Sequence, residues 1–481
     1  MKYIEYLTLT FLLLSPTALS TTWNDVSRLN PELVGKIVQV TDESDVVNAL
    51  KTMPKGKHIV ISGTKHSQGG HIVYPDAVVL DMTKFNKIKS ISVEEKVLTV
   101  QSGVTWGQVQ TAVNRVGLSV KVMQSSNIFS VGGSLAANIH GRDPRFGPII
   151  ETVRSIKVAL STGEIVTASR KKNSDLFFAA IGGYGLLGVI LEAEIELTKN
   201  LPLIKNTKQI DIKNYAKALK KEANELALHY VRCSFVKGKN YLRECYATNF
   251  KEMDGDSVVS QLIPEKDVKR NKTLFDLSRK SHLGKEARWS LQKNLLDKPD
   301  KQSFIDRNPA MQPPVKFLNY NSTKDTDILQ EYFIPLENFS KYFDSFRQLL
   351  VKHDVNLLSI TLRYLKENSE SYLSYSTNDM IAAVVYINIG MDKQSISSAQ
   401  QWTRELVDLS LDHGGNYYLT YQRFPTVAQF KKAYPRWKDF MIAKCKYDPK
   451  EVFRSRFYDQ YLRSAYLDDN QRRKRATPLC L

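Results

Sequence analysis

Two small-residue stretches decide the fold of this chain. The first is Ser62-Gly63-Thr64-Lys65-His66-Ser67-Gln68-Gly69-Gly70-His71, and the second is Ser125 to Ser134, which contains Gly132-Gly133 and runs on into Ala136-Ala137-Asn138-Ile139-His140-Gly141. The first stretch follows a predicted strand, and its small residues expose consecutive backbone N–H groups, a concavity that suits a pyrophosphate. One such loop is weak evidence by itself, but two of them could hold one ligand from both sides.

Glycine is concentrated in the first part of the chain, because 16 of the 23 glycines lie between Gly56 and Gly188. Glycine permits tight turns and close backbone approaches. Short β-branched runs alternate there with turn signals and brief helical patterns, which predicts an α+β domain. The predicted strands are Ile37 to Thr41, His58 to Ser62, Ala77 to Met82, Val97 to Gln101, Val153 to Leu160 and Val189 to Leu197. The predicted helices are Ser44 to Met53 and Thr105 to Val116, with Ser44 and Thr105 as N-caps.

After about Leu201 the pattern changes to longer amphipathic stretches interleaved with strands, which predicts a second, α/β domain with an antiparallel sheet. The amphipathic stretches are Ile212 to His229 and Leu336 to His353, and the strands lie near Leu358 to Tyr364 and Met380 to Ile389. Pro299 to Pro314 carries four prolines and predicts a loop near a substrate cleft.

A third glycine cluster, Gly183, Gly185 and Gly188, satisfies GxGxxG. A dinucleotide fingerprint requires a strand, then the glycines, then a helix. Here the helical run Asp175 to Ile181 comes first and a strand follows, so the order is reversed. We interpret these glycines as a turn packed against something flat rather than as a Rossmann site.

The composition is that of a globular, basic protein. The 481 residues are 42% hydrophobic and 10% aromatic, which argues against disorder. Lys and Arg number 68 against 50 Asp and Glu, a net charge of +18, with a local excess from Pro264 to Gln302 and a basic run from Arg472 to Arg475. Such charge favours anionic surfaces or substrates. No nucleic-acid-binding partner is expected, because no nucleic-acid reading module accompanies the charge.

Residues 1–20 have the pattern of an export signal, with Lys2, an apolar stretch from Leu7 to Leu14, and small residues around Ala18. Eight residues are too few to span a bilayer. A buried first strand or an uncleaved interfacial anchor are the alternatives. We expect the mature protein to be exported, periplasmic or secreted.

The four cysteines, Cys233, Cys245, Cys445 and Cys480, are too few and too scattered for a disulfide framework. They form no CxxC pair, and no His and carboxylate spacing suggests a metal site. Cys233 and Cys245 flank a turn signal, so a bridge across a hairpin and free buried thiols both remain open.

Five ordered motifs carry a family resemblance: SGTKHSQGG (62–70), VLDM (79–82), VQSGVTWGQV (100–109), SVGGSLAANIHG (130–141) and GGYGLLGVI (182–190). In this order they resemble the flavin-binding domain of the vanillyl-alcohol oxidase superfamily, also called the p-cresol methylhydroxylase type. The resemblance implies FAD between two small α+β subdomains. The residues implied to bind it are Ser62, Gly63, Thr64, Lys65, His66, Ser67, Gln68, Ser130, Gly132, Gly133, Ser134, Asn138, Gly141 and Val189.

His66 is implied to carry a covalent bond to the flavin 8α carbon, because in relatives that tether flavin the histidine of a matching GHS does so. Here Lys65 stands where a glycine is usual. A histidine that only hydrogen-bonds the pyrophosphate or caps the loop is the alternative.

In the second half, QEYFIP (330–335), LRYLK (362–366), GGNYYLTY (414–421) and YPRWKDF (434–440) resemble the substrate domain of aldonolactone and alditol oxidases and of decaprenylphosphoryl-ribose oxidase. The segment starting at Asp448 resembles the one that returns to the FAD domain. The domains expected are therefore an export signal (1–20), an FAD-binding domain (21–200), a substrate domain (201–444), a returning segment (445–470) and a basic tail (471–481).

The resemblance also implies the catalytic residues. Arg363 matches an arginine that faces substrate and suits a developing alkoxide. Tyr418 and Tyr421 form a pair of phenols, with Tyr421 replacing a usual lysine, and phenols can donate protons or, when deprotonated, act as bases. His140 matches a histidine near the flavin ring, and Glu331 matches a polar position that can point into the cleft. A structural role is the alternative for each.

The resemblance thus implies an FAD-dependent oxidoreductase that oxidises a CH–OH group of a sugar, sugar lactone or polyol. The flavin would be reoxidised by dioxygen or another acceptor. The alternatives are amine oxidation like that of cytokinin dehydrogenases and a non-catalytic binding module with a flavin fold.

Overall fold

The computed structural model describes residues 21–255, 262, 265–296, 303–469 and 479–480. The expected export signal, the basic run from Arg472 to Arg475 and Pro299 lie outside the described residues. No described helix combines the length and the apolar character needed to cross a membrane.

The first part of the chain forms an α+β domain, as the strand pattern predicts, and it contains two main sheets. Strands β3, β5 and β4 form a parallel sheet in the order β3-β5-β4. Strands β6, β7, β9, β10 and β11 form an antiparallel sheet in the order β10-β9-β11-β7-β6, with β8 paired to β11. The strands are β1 (Thr21–Trp23), β2 (Glu32–Val34), β3 (Lys36–Gln39), β4 (Ile59–Ser62), β5 (Val78–Asp81), β6 (Ile88–Ser92), β7 (Val97–Gln101), β8 (Leu118–Val120), β9 (Val153–Ala159), β10 (Ile165–Ser169) and β11 (Val189–Lys199). The helices are α1 (Glu43–Lys51), α2 (Trp106–Asn114), α3 (Val131–Ala136) and α4 (Ser174–Ala180).

The structure confirms one of the two predicted helix N-caps and corrects the other. Thr105 is the N-cap of α2, as predicted, and forms a capping box with Gln108. The N-cap of α1 is Asp42 rather than Ser44, so the prediction for α1 was wrong by two residues. Asp42 accepts from the backbone of Ser44, and Asp45 completes the capping box, a pairing that satisfies two of the first orphan N–H groups.

The second part is built on one eight-stranded sheet in the order β15-β12-β14-β13-β17-β18-β16-β19, with every described pair antiparallel. Its strands are β12 (Pro202–Ile210), β13 (Leu228–Cys233), β14 (Cys245–Glu252), β15 (Ser303–Asp306), β16 (Asp325–Pro335), β17 (Leu357–Leu365), β18 (Met380–Gly390) and β19 (Asn416–Tyr417). The helices are α5 (Ile212–Glu222), α6 (Val268–Lys280), α7 (His282–Leu296), α8 (Arg307–Ala310), α9 (Phe339–Lys352), α10 (Lys393–Asp412), α11 (Val427–Ala433) and α12 (Trp437–Tyr447).

The two faces of this sheet have different roles, because side chains alternate along each strand. On β16, Tyr332 packs on Phe346 of α9, and Gln330 donates to Thr403 of α10 at 2.7 Å. The intervening residues Leu329 and Glu331 face the opposite side, toward the first part of the chain. Helices α9 and α10 therefore cover one face, and the other face forms a cavity wall.

Two predicted segments differ from the structure. The stretch Ile212 to His229 is not one helix, because α5 ends at Glu222 and β13 begins at Leu228. The predicted loop from Pro299 to Pro314 contains β15, which extends the sheet by pairing with β12, and the short helix α8. Only its last prolines, Pro313 and Pro314, lie in irregular backbone and line the cavity.

The chain after α12 returns to the first domain. Ile59 of β4 donates its N–H to the carbonyl of Val452 at 2.7 Å, and Arg454 donates back to the carbonyl of Ile59. The segment then continues through α13 (Arg456–Tyr458), a π-helical turn (Asp459–Arg463) and α14 (Ser464–Asp469).

Both cysteine pairs form disulfides. The hairpin bridge Cys233–Cys245 joins directly opposed residues of β13 and β14. The second bridge, Cys445–Cys480, was not predicted, and it ties α12 to the C-terminal end of the chain. Free buried thiols were thus the wrong alternative for all four cysteines.

Candidate active site

A single cavity of about 860 Å³ lies between the glycine-rich loops and the open face of the large sheet. The first domain contributes both small-residue stretches, and the second contributes residues from β13, β16, β17 and β18. A volume of this order is that of a cofactor or ligand site.

The loop after β4 forms one wall with unpaired backbone amides. The N–H groups of Thr64, Lys65, His66 and Ser67 donate to no other described residue, whereas that of Gln68 donates to the carbonyl of Thr420. A Cβ on Gly63 would collide with Oγ of Ser130, so this loop lies directly against the second one. These amides form the concavity expected for an anion.

The second loop presents bare amides over only part of its length, because the N–H groups at the start of α3 are satisfied. The N–H of Val131 donates to the carbonyl of Val104, and that of Gly132 donates to the carbonyl of Ser102, each at 2.8 Å. A Cβ on Gly132 would lie 2.5 Å from Cβ of Ser102. The glycine is needed for this close approach, so residues 131 and 132 supply a flat wall, whereas the N–H groups of residues 125–130 donate to no described residue.

His66 faces the cavity from the amide-rich loop. Its Nδ1 lies 3.1 Å from Oγ1 of Thr64, and its ring meets the edge of Phe129 with centroids 4.6 Å apart. Burial lowers the pKa of His66 to about 4, so the imidazole is neutral at neutral pH.

Lys65 stands at a position that favours glycine, because its φ is 62°. This left-handed conformation costs an L-residue about 1 kcal/mol or more. The Lys65 side chain turns onto the Trp23 ring, with Nζ 3.3 Å from the ring centroid, a cation–π contact that offsets part of this cost.

Glu331 and His140 meet at the centre of the cavity although they are 191 residues apart. Nε2 of His140 lies 2.6 Å from Oε1 of Glu331, and both side chains are 3% exposed. The hydroxyl of Tyr421 donates to Oε2 of Glu331 at 3.3 Å. Burial raises the pKa of Glu331, but His140, Arg363 and Tyr421 outweigh it and hold that pKa below its usual value. Glu331 is therefore a buried carboxylate that stays ionised.

Arg363 lies on β17, two residues after Thr361, and it lines the same cavity as Glu331. Its guanidinium donates to Oγ of Ser125 at 2.8 Å, and its Nε has no partner among the described residues. Burial lowers its pKa, and the nearby Glu331 partly compensates. A cation with a free donor is thus held close to the buried carboxylate.

The two phenols differ in what they can do. The hydroxyl of Tyr418 donates to the carbonyl of Ala137 at 2.7 Å, so it is committed to the backbone, whereas that of Tyr421 donates to Glu331. Burial raises the pKa of both well above 10. Both phenols therefore stay protonated, and the expectation that one acts as a base does not hold at neutral pH.

Most of the residues expected to bind the cofactor line the cavity: Gly63, Thr64, Lys65, His66, Ser67, Gln68, Ser130, Gly132, Gly133 and Ser134. Four lie outside its lining: Ser62, Asn138, Gly141 and Val189. Asn138 accepts from the N–H of Ile150 at 3.2 Å, Gly141 packs against the backbone of Met123, and Val189 belongs to a hydrophobic core with Phe453. Two of the GxGxxG glycines, Gly185 and Gly188, line the cavity. They lie between α4 and β11, so a helix precedes them and a strand follows, as the sequence predicted.

Several cavity residues escaped the sequence analysis. Ser102 and Ser126, which the sequence analysis did not single out, each present a buried hydroxyl without a partner among the described residues, as the predicted residue Arg363 does with its Nε. His71 is stacked between Tyr184 and Phe457, and neither of its ring nitrogens has such a partner. Burial, together with Arg423, lowers the pKa of His71 to about 3.

Buried polar groups are normally hydrogen-bonded, so these orphan atoms indicate a cavity built for a polar ligand. FAD fits this requirement, since its pyrophosphate, ribityl hydroxyls and ring edges supply acceptors and donors for both walls. The amide-rich loop at residues 64–67 provides the anion nest, and the flat wall at residues 130–134 lies opposite the sheet.

Comparison with known proteins agrees with this architecture. Residues 35–169 match the family described as "FAD binding domain", and residues 286–463 match "D-arabinono-1,4-lactone oxidase". Decaprenylphosphoryl-beta-D-ribose oxidase of Mycolicibacterium smegmatis is 31% identical over 34% of this chain and 37% of its own length. Cytokinin dehydrogenase 3 of Arabidopsis thaliana is 23% identical over 90% of this chain and 86% of its own length. An FAD-linked oxidoreductase of Aspergillus fumigatus, hasG, is 30% identical over 36% of this chain, and the match spans 38% of that relative.

The fold and the cavity define a two-domain flavoprotein in which a small α+β domain binds FAD and a large antiparallel sheet closes the site. The chain belongs to the FAD-linked oxidoreductases of the p-cresol methylhydroxylase type.

Proposed function

We propose that this protein oxidises a CH–OH group of a sugar, sugar lactone or polyol. The observation that carries the proposal is the meeting of an ionised Glu331, a protonated Tyr421 and the Arg363 cation in the cavity that the FAD-binding loops line. The match of residues 286–463 to D-arabinono-1,4-lactone oxidase adds support.

Bound FAD would accept a hydride from the substrate carbon, and this chain's residues would manage the proton and the charge on oxygen. Glu331 accepts the hydroxyl proton, because it is ionised and still has free lone pairs beside its bonds to His140 and Tyr421. The free Nε of Arg363 donates to the substrate oxygen and stabilises its alkoxide character. Tyr418 holds the backbone of Ala137, which lines the cavity beside the FAD-binding loops.

Amine oxidation is the second candidate, favoured by the similarity to cytokinin dehydrogenase 3 over 90% of this chain. Arg363 argues against amine oxidation. Its guanidinium is a fixed cation with a free donor, so it attracts a substrate oxygen rather than an amine, since amines are often protonated. Anaerobic bleaching of the flavin with matched panels of sugars, lactones, polyols and amines distinguishes CH–OH oxidation from amine oxidation. Bleaching by an alcohol or lactone supports the proposal. Bleaching by amines alone moves the function to the second candidate, and no bleaching by any compound favours a non-catalytic binding module.

His66 is proposed as the covalent tether of FAD. It is neutral at neutral pH, it lines the cavity, and the Thr64 contact engages only Nδ1, which leaves Nε2 without a described partner. Acid precipitation should leave yellow colour in the pellet of the unmutated protein, and His66→Ala should release it. His58→Ala is the matched control, because His58 bonds the carbonyl of Glu451 and lies outside the cavity. Colour lost to the supernatant from unmutated protein contradicts the tether.

Export is proposed as the cellular setting. Its support is the pattern of residues 1–20 together with two disulfides, which persist in oxidising compartments. Fractionation of cells that make the full chain tests the proposal, and protein found only in the cytosol contradicts it.

A further inference from the structure

The sheet register places one row of cavity residues across four strands. Arg232 on β13 pairs with Thr361 on β17, Thr361 pairs with Val384 on β18, and Val384 pairs with Glu331 on β16. All four residues line the cavity. Neighbouring strands lie about 4.8 Å apart, so the backbones of Arg232 and Glu331 are separated by about 14 Å. The row therefore has a reactive end at Glu331 and a distant end at Arg232.

The distant end carries cations without carboxylate partners. No described residue forms a hydrogen bond or an ion pair with the Arg232 guanidinium, whose nearest ring is that of Tyr230 at 5.4 Å. Arg288 of α7 lines the same end and donates only to Oγ of Ser278 and to the carbonyl of Leu358. Burial, Arg232 and Arg279 together lower the pKa of Arg288 to about 9.

The carboxylates that line the cavity do not neutralise this end. Asp327 accepts a bidentate bond from Arg279, and Glu331 is engaged by His140. Even the buried phenol of Tyr230 has its pKa lowered, because Arg232, Arg142 and Lys205 outweigh the effect of burial. Arg288 is buried and Arg232 is half-buried, and buried charges are normally paired, so the missing negative charge points to a ligand.

We infer that the cavity takes an alcohol bearing a distal anionic group, a phosphate or a carboxylate, and that Arg232 and Arg288 bind this group while the CH–OH lies at Glu331. The inference rests on the proposed function for the reacting end, and the arginines define the other end independently. The substrate is thus a phosphorylated sugar or a sugar acid rather than a neutral sugar.

The first test measures binding without turnover, on protein purified with its flavin bound so that the cofactor site is filled. Inorganic phosphate, and gluconate in a parallel series, are titrated against chloride at equal ionic strength while the melting temperature is followed. Arg232→Gln should weaken binding of the preferred anion about 10- to 100-fold, the usual value of one charge-assisted hydrogen bond. Arg243→Gln is the matched control, because Arg243 is exposed, follows the same strand and lies outside the cavity. Equal binding in Arg232→Gln and wild type overturns the inference.

The second test separates the inference from the proposed function. Anaerobic flavin reduction is compared for a sugar and its phosphate ester, and for a polyol and its aldonate. The ratio of rate constants, anionic to neutral, should fall about 10- to 100-fold in Arg232→Gln and stay unchanged in Arg243→Gln. Equal reduction by both members of each pair in wild type overturns the anionic substrate while the oxidase function stands. Anion binding that depends on Arg232, without reduction by any alcohol, supports the anionic subsite and overturns the oxidase function.

Discussion

Replacing Glu331 by Gln removes the proposed proton acceptor while keeping nearly the same shape. Both partners of the Glu331 and His140 pair are 3% exposed and their atoms are 2.6 Å apart, so solvent cannot take over the role of the carboxylate. General base catalysis contributes about 10² to 10⁴ in rate, which corresponds to roughly 3 to 5 kcal/mol at 1.36 kcal/mol per decade. We expect Glu331→Gln to slow flavin reduction by that factor.

The assay is anaerobic stopped-flow reduction of the bound flavin by a substrate that bleaches the wild type. The matched control is Glu405→Gln, which disrupts another Glu–His pair, Glu405 with His353 at 2.8 Å, on the protein surface. It should leave the rate near that of the wild type, since neither Glu405 nor His353 lines the cavity. His140→Gln combined with Glu331→Gln should be little worse than Glu331→Gln alone, because residues acting as a unit are not additive. A loss below about tenfold in Glu331→Gln, with normal flavin content, would refute Glu331 as the proton acceptor.

The other predictions concern the groups around this carboxylate. Arg363→Met should slow flavin reduction about 10² to 10³-fold, as for loss of an oxyanion donor, and stopped-flow rates near wild type remove Arg363 from the mechanism. Tyr421→Phe should reduce the same rate constant more than Tyr418→Phe, because only Tyr421 bonds Glu331; the reverse order contradicts this assignment. The pH profile of flavin reduction should stay flat from pH 7 to about 5, since burial is outweighed by His140 and Arg363 and the pKa of Glu331 lies below its usual value. A decline centred above pH 5.5 contradicts the ionised carboxylate.

The cofactor wall could be predicted from sequence because its determinants are local. A run of small residues after a strand is enough to predict an amide nest, and the amides of residues 64–67 do lack partners among the described residues. Lys65 also shows why glycine is usual there, because the loop requires a φ of 62°. Two amides of the second loop, those of Val131 and Gly132, are satisfied by the carbonyls of Val104 and Ser102, which only the tertiary structure brings close.

The opposite wall could not be predicted in the same way, because it depends on strand register. Arg232, Thr361, Val384 and Glu331 are spread between residues 232 and 384 of the sequence, yet the strand pairings set them in one row. A slip of one residue would turn each of them to the helix-covered face. The bridge Cys445–Cys480 was missed for a similar reason, since its two cysteines lie 35 residues apart with no local turn signal between them.

The reactive centre is assembled from both domains, so its formation depends on their docking. His140 and Ser125 come from the first domain and contact Glu331 and Arg363 of the large sheet. Lys444 of α12, which is fully buried, ties the returning segment to the first domain. Lys444 Nζ pairs with Asp448 and donates to the carbonyls of Leu186 and Phe453, each at 2.6 or 2.7 Å. Removing one partner of such a pair costs about 3 to 5 kcal/mol. The contacts of Glu331 with His140 and of Arg363 with Ser125 therefore form only where the domains are joined, and the proposed chemistry at Glu331 depends on this docking.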